Sequence, residues 1–204
     1  MGSFTSAQLA REVPVGLAWM LGSVMEAKGQ QTLFEAQRPE ALETLRHVAL
    51  IQSTESSNRI EGVTVEQGRL KPLVMGELEP QDRPEEEIVG YRRALDWIHR
   101  EHEHIEITPE SIRQLHARAQ GGLVGDAGQW KGVDNDIIEF LPDGRRRLRF
   151  RTTPATEAPD AVDQLCLAYQ HANQDSLLPP LLAGASLVLD FLCIHPFRDG
   201  NGRG

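Results

Sequence analysis

A nearly continuous apolar run that ends in a polar, glycine-rich loop is the feature that most constrains this chain. Residues 187–194 carry apolar side chains at every position except Asp190, and His195 and Pro196 follow immediately. Such a run predicts a buried helix, and Pro196 would end it because the residue before a proline is pushed out of the α region. We therefore expect His195 at the rim of a hydrophobic core, where the polar loop begins.

The loop after this helix combines groups that suit a phosphate ligand. Gly200 and Gly202 permit positive φ angles and a close backbone approach, so that successive N–H groups can form a concave nest for an anion. Asn201 adds an amide donor, and the Arg203 guanidinium matches the geometry of phosphate oxygens. The loop therefore predicts a site for the phosphates of a nucleotide.

Two further residues supply groups that could do chemistry there. His195 is a candidate general base, and Asp199 is the kind of oxygen ligand that Mg²⁺ uses when it also binds phosphates. A structural histidine and an ordinary Asp-Gly-Asn-Gly turn are the simpler alternatives. A calcium loop is disfavoured because Arg203 stands where Asp or Asn is required, and a P-loop is excluded because no Gly-Lys-Ser/Thr is present.

Residues 195–203 resemble the signature His-x-Phe-x-Asp/Glu-Gly-Asn-Gly-Arg-x-x-Arg of the Fic domain family at every position up to the first arginine. Most members of that family transfer AMP from ATP to hydroxyl groups of proteins. The resemblance implies a mainly α-helical, Fic-type bundle with one small β-hairpin flap. The sequence ends at Gly204, two residues before the second arginine of the signature, so we expect a fragment of a longer protein or a chain cut inside the motif.

The resemblance also implies a role for each loop residue. His195 would take the proton of a target Ser, Thr or Tyr hydroxyl that attacks the α-phosphate of ATP, and Asp199 would hold Mg²⁺. Phe197 is expected to anchor the loop in the core rather than to act in catalysis. The residues that would bind the nucleotide phosphates are Gly200, Asn201, Gly202 and Arg203.

A second motif lies well upstream, where residues 53–62 are rich in residues that form helices poorly. Gly62 suits a helix end, which leaves Glu61 at a C-terminus where the helix dipole disfavours an anion and indicates a cationic partner elsewhere. A solvated glutamate near Arg59 or Arg69 is the alternative. Ser57-x-x-x-Glu61-Gly62 resembles the inhibitory motif of the Fic family, whose glutamate pairs with the second signature arginine and obstructs the ATP γ-phosphate.

The chain is predicted to divide into an N-terminal helical region, residues 1–80, that carries the inhibitory motif, and a Fic core, residues 81–204. Apolar periodicity predicts a helix from residue 5 to about 29, ended by a turn at Gly29, and another that starts at Pro39. The segment from Pro80 to Pro84 is predicted to be a linker. Helices are also predicted from Glu85, after the N-cap Thr108, over residues 161–172, and after Pro179-Pro180.

Residues 137–150 change character and predict a β-hairpin around Pro142-Asp143-Gly144. Arginines alternate with apolar residues after the turn, as expected for a strand with one solvent-facing side. A plain surface hairpin and a basic arm for nucleic acid are alternatives. The family resemblance implies a flap that holds the modified segment of an unidentified target protein by strand addition.

Composition limits the remaining possibilities. The formal net charge of -9 over 204 residues argues against non-specific nucleic-acid or membrane binding by this portion, and no apolar stretch is long enough for a membrane span. Cys166 and Cys193 are expected to be reduced and buried, and His99, His102 and His104 to lie at a solvated helix end rather than in a metal site. We expect a cytoplasmic protein, for which a homodimer is compatible with the sequence.

The signature leaves the exact reaction open. A Fic enzyme that transfers UMP, phosphate or phosphocholine, or one that also removes AMP while Glu61 is in place, would carry the same residues. A binding module that retains the fold without catalysis is a further alternative, which the intact His195 and Asp199 disfavour.

Overall fold

The structure, a computed structural model, describes residues 2–37, 39–121 and 125–203. Within these residues the chain is mainly α-helical with a single two-stranded antiparallel hairpin, so the fold class predicted from the sequence is confirmed. The elements are α1 (Ser6–Leu9), α2 (Val15–Gln37), α3 (Pro39–Ile60), α4 (Gln67–Met75), α5 (Arg83–Glu101), α6 (Pro109–Ala119), β1 (Ile137–Phe140), β2 (Arg146–Phe150), α7 (Ala158–Gln174), α8 (Pro180–Ile194) and a short 3₁₀ turn (Asn201–Arg203).

Local capping signals placed several helix ends correctly. Thr108 caps α6: its side chain accepts a hydrogen bond from the Ser111 backbone N–H at 3.1 Å, while Ser111 Oγ accepts from the Thr108 N–H at 3.0 Å. Helix α8 begins at Pro180 and ends at Ile194, directly before His195-Pro196, as predicted. These ends depend on groups a few residues apart, which is why the sequence alone locates them.

The predicted N-terminal helix starts where expected, but it is interrupted and then runs further than predicted. Pro14 separates the short α1 from α2, and α2 continues through Gly29 to Gln37 without the expected turn. A glycine inside a helix costs only about 1 kcal/mol relative to alanine, so it does not end a helix that packs against a neighbour. Here α2 packs against α3.

The segment before the Fic core is also more ordered than the predicted linker. Helix α5 begins at Arg83, with Pro84 in its first turn, and the Asp82 carboxylate caps it by accepting from the Glu85 N–H at 3.0 Å. Helix α4, which the sequence reading did not identify, lies just upstream and packs on α5.

Two hydrophobic clusters form the core. The first joins α4 and α5, with Leu50 and Ile51 of α3 packed against it. The second joins α7 and α8 and is covered by Phe4 from the N-terminal segment. The first cluster draws residues from both sides of residue 80, and the division of the chain at that position stays a prediction. The buried members are Leu70, Leu73, Val74, Ile88 and Val89 in the first cluster, and Ala158, Val162, Leu165, Cys166 and Ile194 in the second.

The hairpin has the predicted position and alternation but not the predicted burial. Pairs such as Glu139 with Arg147 and Ile138 with Leu148 place charged and apolar side chains on opposite faces. All five residues of β2 are exposed, however, so both faces are open to solvent rather than one. The described helices therefore leave the apolar side chains of the hairpin largely uncovered.

Three expectations from composition can be compared with the fold. None of the helices within the described residues is both long and apolar enough to cross a membrane. Cys166 is buried and Cys193 half-buried, and both are free thiols, with burial raising the pKa of Cys166 to about 11. The three histidines at the end of α5 are exposed, and no cluster of metal-binding side chains occurs in the part of the chain that the structure describes.

Candidate active site

Helix α8 delivers His195 to the start of the polar loop in a strained conformation. His195 has φ 52° and ψ 58°, in the left-handed region, and its N–H donates to the Phe191 carbonyl at 2.8 Å. Its Nδ1 atom is buried and makes no hydrogen bond of ordinary geometry within the described residues. A non-glycine residue in this region indicates that the surrounding structure holds it there.

The surroundings of His195 favour the neutral form of its imidazole. Burial is the largest influence and lowers the pKa of His195 below its ordinary value, and the positive charge of Lys131 lowers it further. The Leu192 backbone and the charges of Glu61 and Asp199 act in the opposite direction. A neutral imidazole at physiological pH is the form that can accept a proton.

Asn201 closes the loop from within. Its Oδ1 accepts from the Phe197 N–H at 2.9 Å, its Nδ2 donates to the Phe197 carbonyl at 2.8 Å, and the residue is 2% exposed. The sequence predicted an amide donor for phosphate at this position. In this conformation both polar atoms of the side chain bond to the Phe197 backbone and fix the shape of the loop, and a contact of Asn201 with phosphate stays a prediction.

Phe197 anchors the loop in the core, as expected. It is 1% exposed and stacks on the His116 ring at a centroid distance of 3.7 Å, with Trp130 at 4.9 Å on the same aromatic cluster. The Gly128 N–H donates to His116 Nδ1 at 2.9 Å, so the proton of a neutral His116 lies on Nε2, which donates to the Asp199 carbonyl at 3.0 Å. His116 of helix α6 therefore contacts the loop twice, by stacking on the Phe197 ring and by donating a hydrogen bond to the Asp199 carbonyl.

Lys131 grips the opposite side of the loop. Its ammonium group is buried, with the residue 4% exposed, and donates to Asn135 Oδ1 at 2.7 Å, Thr152 Oγ1 at 3.0 Å and the carbonyl of Ile194 at 3.2 Å. Its backbone N–H donates to the Pro196 carbonyl at 2.8 Å. Asn135 precedes β1 and Thr152 follows β2, so one ammonium ties the base of the hairpin to the end of α8.

Asp199 presents a carboxylate to solvent at the mouth of the loop. Its side chain is 57% exposed, Oδ1 accepts from the Gly200 N–H at 2.8 Å, and Oδ2 lies 3.9 Å from the guanidinium of Arg83. A single reachable carboxylate fits Mg²⁺, which commonly binds proteins through one or two carboxylates while substrate phosphates and waters complete its shell. Movement of this carboxylate to a cation would free the Gly200 N–H for an anion.

Gly200 and Gly202 meet different structural constraints, one on the backbone angle and the other on space. Gly200 has φ 73°, as the predicted nest requires, whereas Gly202 lies in the 3₁₀ turn without a positive φ. At Gly202 the constraint is space, because a Cβ built there would overlap Oε1 of Glu61, and the carboxylate carbon lies 3.2 Å from that position. The backbone of Arg203 lies in the same turn, and its side chain and Gly204 fall outside the described part of the structure.

The end of α3 thus brings the upstream motif to the loop, although Glu61 and Gly202 lie 141 positions apart in the sequence. Ser57 Oγ accepts from the Tyr91 hydroxyl at 2.8 Å, which ties α3 to α5, and Gly62 takes φ 77° as a C-terminal glycine should. Arg69, considered as a solvent-side partner for Glu61, pairs with Glu85 instead. Glu61 therefore faces the loop at Gly202, and its inhibitory role stays a prediction.

Several residues that build this site carry no recognisable sequence signal. His116 and Lys131 stand as single polar residues in an ordinary helix and an ordinary loop, and Asn135 stands in a polar stretch. Their partners lie 63 to 83 positions away for the bonds to Ile194 and Asp199. Only the tertiary structure shows that they hold the loop.

The geometry therefore defines a helical fold in which a half-buried histidine, an exposed carboxylate and a glycine-containing loop meet at the end of one helix. Comparison with family models assigns residues 106–204 to the Fic/DOC family. Residues 106–204 therefore carry a Fic/DOC domain, and that family includes enzymes that transfer AMP to proteins. Fic proteins are often transferases, and Fic enzymes generally use ATP and Mg²⁺.

Solved structures share the fold. A Fic domain containing signaling protein from Bacteroides thetaiotaomicron is similar with TM-score 0.72 and 24% identity, covering 86% of this chain and 67% of that chain. A Fic family protein from Desulfovibrio desulfuricans gives TM-score 0.68, 21% identity and coverages of 95% and 55%. A glutamate-to-glycine variant of a fragment of Fic-1 from C. elegans is similar with TM-score 0.60 and 17% identity, covering 90% of this chain and 55% of that chain. The chain thus spans between about half and two thirds of these proteins' length, and a comparison with curated proteins gives no match.

Proposed function

We propose that this chain is the catalytic part of a protein AMP-transferase that Glu61 holds in an inhibited state. The observation that carries the proposal is the meeting of both motifs in one place: the Glu61 carboxylate lies against Gly202, inside the loop that begins at His195. The family resemblance gives this pairing a chemical meaning, since the loop would bind ATP and the glutamate would obstruct it.

His195 would act as the general base of the reaction. A target hydroxyl would lose its proton to the imidazole as its oxygen attacks the α-phosphate of ATP, and pyrophosphate would leave. The partial burial of His195 and the nearby charge of Lys131 favour the neutral imidazole that this step needs. The bonds from Asn201 and Lys131 hold the loop and the helix end in place, so that little rearrangement is required when substrate binds.

Asp199 would hold Mg²⁺, which would neutralise phosphate charge. The loop backbone around Gly200 and Gly202 would contact the phosphate oxygens, and Arg203 would pair with them. Arg83 lies at the same edge, 3.9 Å from the Asp199 carboxylate, and adds positive charge where a polyphosphate would lie.

Glu61 would inhibit by occupying part of this surface with a negative charge. Its carboxylate lies where the backbone of Gly202 would otherwise be open to a ligand, and two anions this close repel strongly. Removal of the glutamate side chain would expose the Gly202 backbone and, by removing a nearby negative charge, would favour the neutral imidazole of His195 further. The alternative is a related enzyme that transfers another group, or one that removes AMP while Glu61 is present. The labelling assay described next distinguishes these reactions from AMP transfer.

The test is self-labelling and target labelling of the full chain with α-³²P-labelled ATP and Mg²⁺. Glu61→Gly should increase labelling, and Glu61→Gln should show how much of the block is due to charge. Glu66→Gly is a matched control, because Glu66 occupies the N-cap of α4 without a side-chain cap bond and glycine is tolerated there.

His195→Ala in the Glu61→Gly background should abolish labelling while nucleotide binding, followed by calorimetry, persists. Labelling that survives the loss of His195 would remove it as the base. Labelling that does not rise in Glu61→Gly would remove the inhibitory role. Transfer from UTP or a phosphocholine donor in preference to ATP, or loss of AMP from a labelled target only when Glu61 is intact, would select the alternative reactions.

A further inference from the structure

Helix α2 carries apolar side chains on two opposite sides, and α3 packs against one of them. Val24, Lys28 and Gln31 line the groove between α2 and α3 and so mark the inner side of the helix. Leu17 and Leu21 follow the same helical spacing and are partly buried. The opposite side carries a second apolar stripe, called the outer stripe here, whose large residues are Val15, Trp19, Met25 and Leu33 and whose small residues are Ala18, Gly22 and Gly29.

The outer stripe is open to solvent to an unusual degree for side chains of this size. Val15 is 85% exposed, Trp19 79% and Leu33 63%. A helix that is apolar on opposite sides is expected to be covered on both, because each large apolar side chain gains free energy when it leaves water. The described elements leave the outer stripe uncovered, and an apolar patch of this extent on a soluble surface marks an interaction site.

The order of large and small residues makes the outer stripe complementary to itself. When two copies of α2 lie antiparallel and cross at Gly22, Trp19 lies opposite Met25 of the partner subunit. Val15 then lies opposite Gly29 of the partner subunit, so that a large residue meets a small one. A patch that fits its own copy about a two-fold axis is the requirement for a symmetric dimer.

Gly22 has no structural role within the single chain that would explain a glycine. It lies inside α2 without a positive φ, and a Cβ built there would meet no atom within 4 Å. Glycine destabilises a helix interior relative to alanine, so the position is unfavourable for the single chain. At the crossing point of two helices, the missing side chain lets the two backbones approach closely.

Size and charge both fit a second copy of this chain. Helix α2 has 23 residues and is about 34 Å long, and covering the outer stripe on both copies would remove on the order of 1,200 Å² from water, the lower end of specific interfaces. Residues 15–33 carry one acid and one base, so this surface is neutral in a chain with a formal net charge of -9, and two copies meet there with little repulsion. Glu26, at the margin of the stripe, accepts a hydrogen bond from Gln30 at 3.5 Å and can stay in water at the rim.

We propose that two copies of this chain associate through the outer stripe of α2, with the two helices antiparallel and crossing at Gly22. The dimer does not depend on the proposed function, because the active-site loop takes no part in it. A lipid surface or an unrelated protein would also cover the apolar side chains. Neither of these would require a small residue at position 22, which separates them from the two-fold dimer.

Sedimentation equilibrium of the full chain between about 1 and 100 µM tests the association, and we expect a dimer with a dissociation constant at or below about 10 µM. Trp19→Glu should raise this constant by about thirtyfold or more, because the two-fold axis places two such tryptophans in the interface. Phe140→Glu is the matched control, since Phe140 is an aromatic residue of similar exposure, 69%, on another surface. The control should change the constant by less than about twofold.

A second pair of variants tests the crossing point. Gly22→Leu and Gly16→Leu make the same change on one helix, and neither new Cβ meets an atom within 4 Å in the single chain. Both variants should therefore keep the helical circular dichroism of the parent. Gly22→Leu should weaken association about tenfold or more because its side chain separates the helices, whereas Gly16→Leu, which lies off the stripe, should change it less than about twofold.

The outcomes that would overturn the inference are specific. They are a monomer throughout the concentration range, a dimer that neither Trp19→Glu nor Gly22→Leu weakens, and equal effects of Gly22→Leu and Gly16→Leu. A monomer that cosediments with phosphatidylcholine–phosphatidylglycerol vesicles, and loses this in Trp19→Glu, would overturn it as well and would assign the stripe to a lipid surface.

Discussion

Replacement of Lys131 by methionine tests how the loop is held. Methionine keeps most of the length and apolar volume of the side chain, while it removes the charge and the three donors that reach Asn135, Thr152 and Ile194. The position is 4% exposed, so water cannot readily replace the lost bonds. The substitution should therefore weaken the link between the base of the hairpin and the end of α8.

The expected cost follows from which groups lose a partner. Thr152 Oγ1 lies 3.3 Å from Asn135 Oδ1 and can donate to it, so these two side chains still satisfy each other. The buried carbonyl of Ile194 loses its side-chain donor, which costs about 1–3 kcal/mol, and the C-terminus of α8 loses a cation worth about 0.3–1 kcal/mol. Burial of the charge opposes this, because it lowers the pKa of Lys131 and destabilises the charged form. We expect a net loss of about 2 kcal/mol, or a decrease in Tm of about 4–8 °C for a chain of this size.

Thermal unfolding as a function of pH is the assay. Since the folded pKa of Lys131 lies below its ordinary value of 10.5, the unfolded state binds the proton more readily, and wild-type stability should rise with pH through the window between the two values. The Lys131→Met variant should lack that rise. The control is Lys71→Met on the exposed face of α4. A Tm for Lys131→Met within 1 °C of the control would refute the account of the network.

The same variant has a second consequence, at the active site. The charge of Lys131 lowers the pKa of His195, while Glu61 and Asp199 act against it, so the substitution should raise the pKa of the imidazole. The acid limb of the pH–rate profile for AMP transfer should move to higher pH, and an NMR titration of His195 should show the same shift without any need for activity. An unchanged titration would mean that Lys131 acts through structure alone.

Other substitutions test separate parts of the molecule. Phe197→Ala should lower the free energy of unfolding, measured by chemical denaturation, by about 3–5 kcal/mol because it leaves a cavity in the aromatic cluster. Phe140→Ala on the exposed hairpin should change it by less than about 0.5 kcal/mol, and similar effects at the two sites would contradict the assigned burial. The hydrogen bond from Arg69 holds the pKa of Glu85 below 4.5, so the stabilisation by this pair is complete above that pH and is lost as the pH falls through the lower folded pKa. Glu85→Gln should flatten this part of the acid-unfolding curve, and an unaltered curve would show that the pair does not contribute to acid unfolding. Asp199→Asn should raise the Mg²⁺ concentration needed for half-maximal transfer, and an unchanged requirement would exclude Asp199 as the metal ligand.

What the sequence predicted well is what depends on neighbouring residues. Thr108, Pro109 and Ser111 form their cap within one turn, and Pro196 ends α8 next to the residue it constrains. The order of motif, hairpin and loop also followed from local patterns and from the family signature.

What the sequence did not predict depends on distant partners. Gly29 stays helical because α2 packs on α3, and the apolar face of the hairpin stays exposed because no other described element covers it. The role of Lys131 depends on a carbonyl 63 positions away, and a lone lysine in a loop gives no pattern from which to infer that.

The backbone angles of His195 have an evolutionary implication. A left-handed residue directly after a helix is where glycine or asparagine is usually found, since a β-carbon there costs about 1–2 kcal/mol. Histidine therefore destabilises the fold at this position relative to glycine. We expect His195→Gly to have a higher Tm than the parent, while it lacks the imidazole that could accept a proton. The proposed role of His195 as a base would account for an imidazole at a position where stability alone favours glycine.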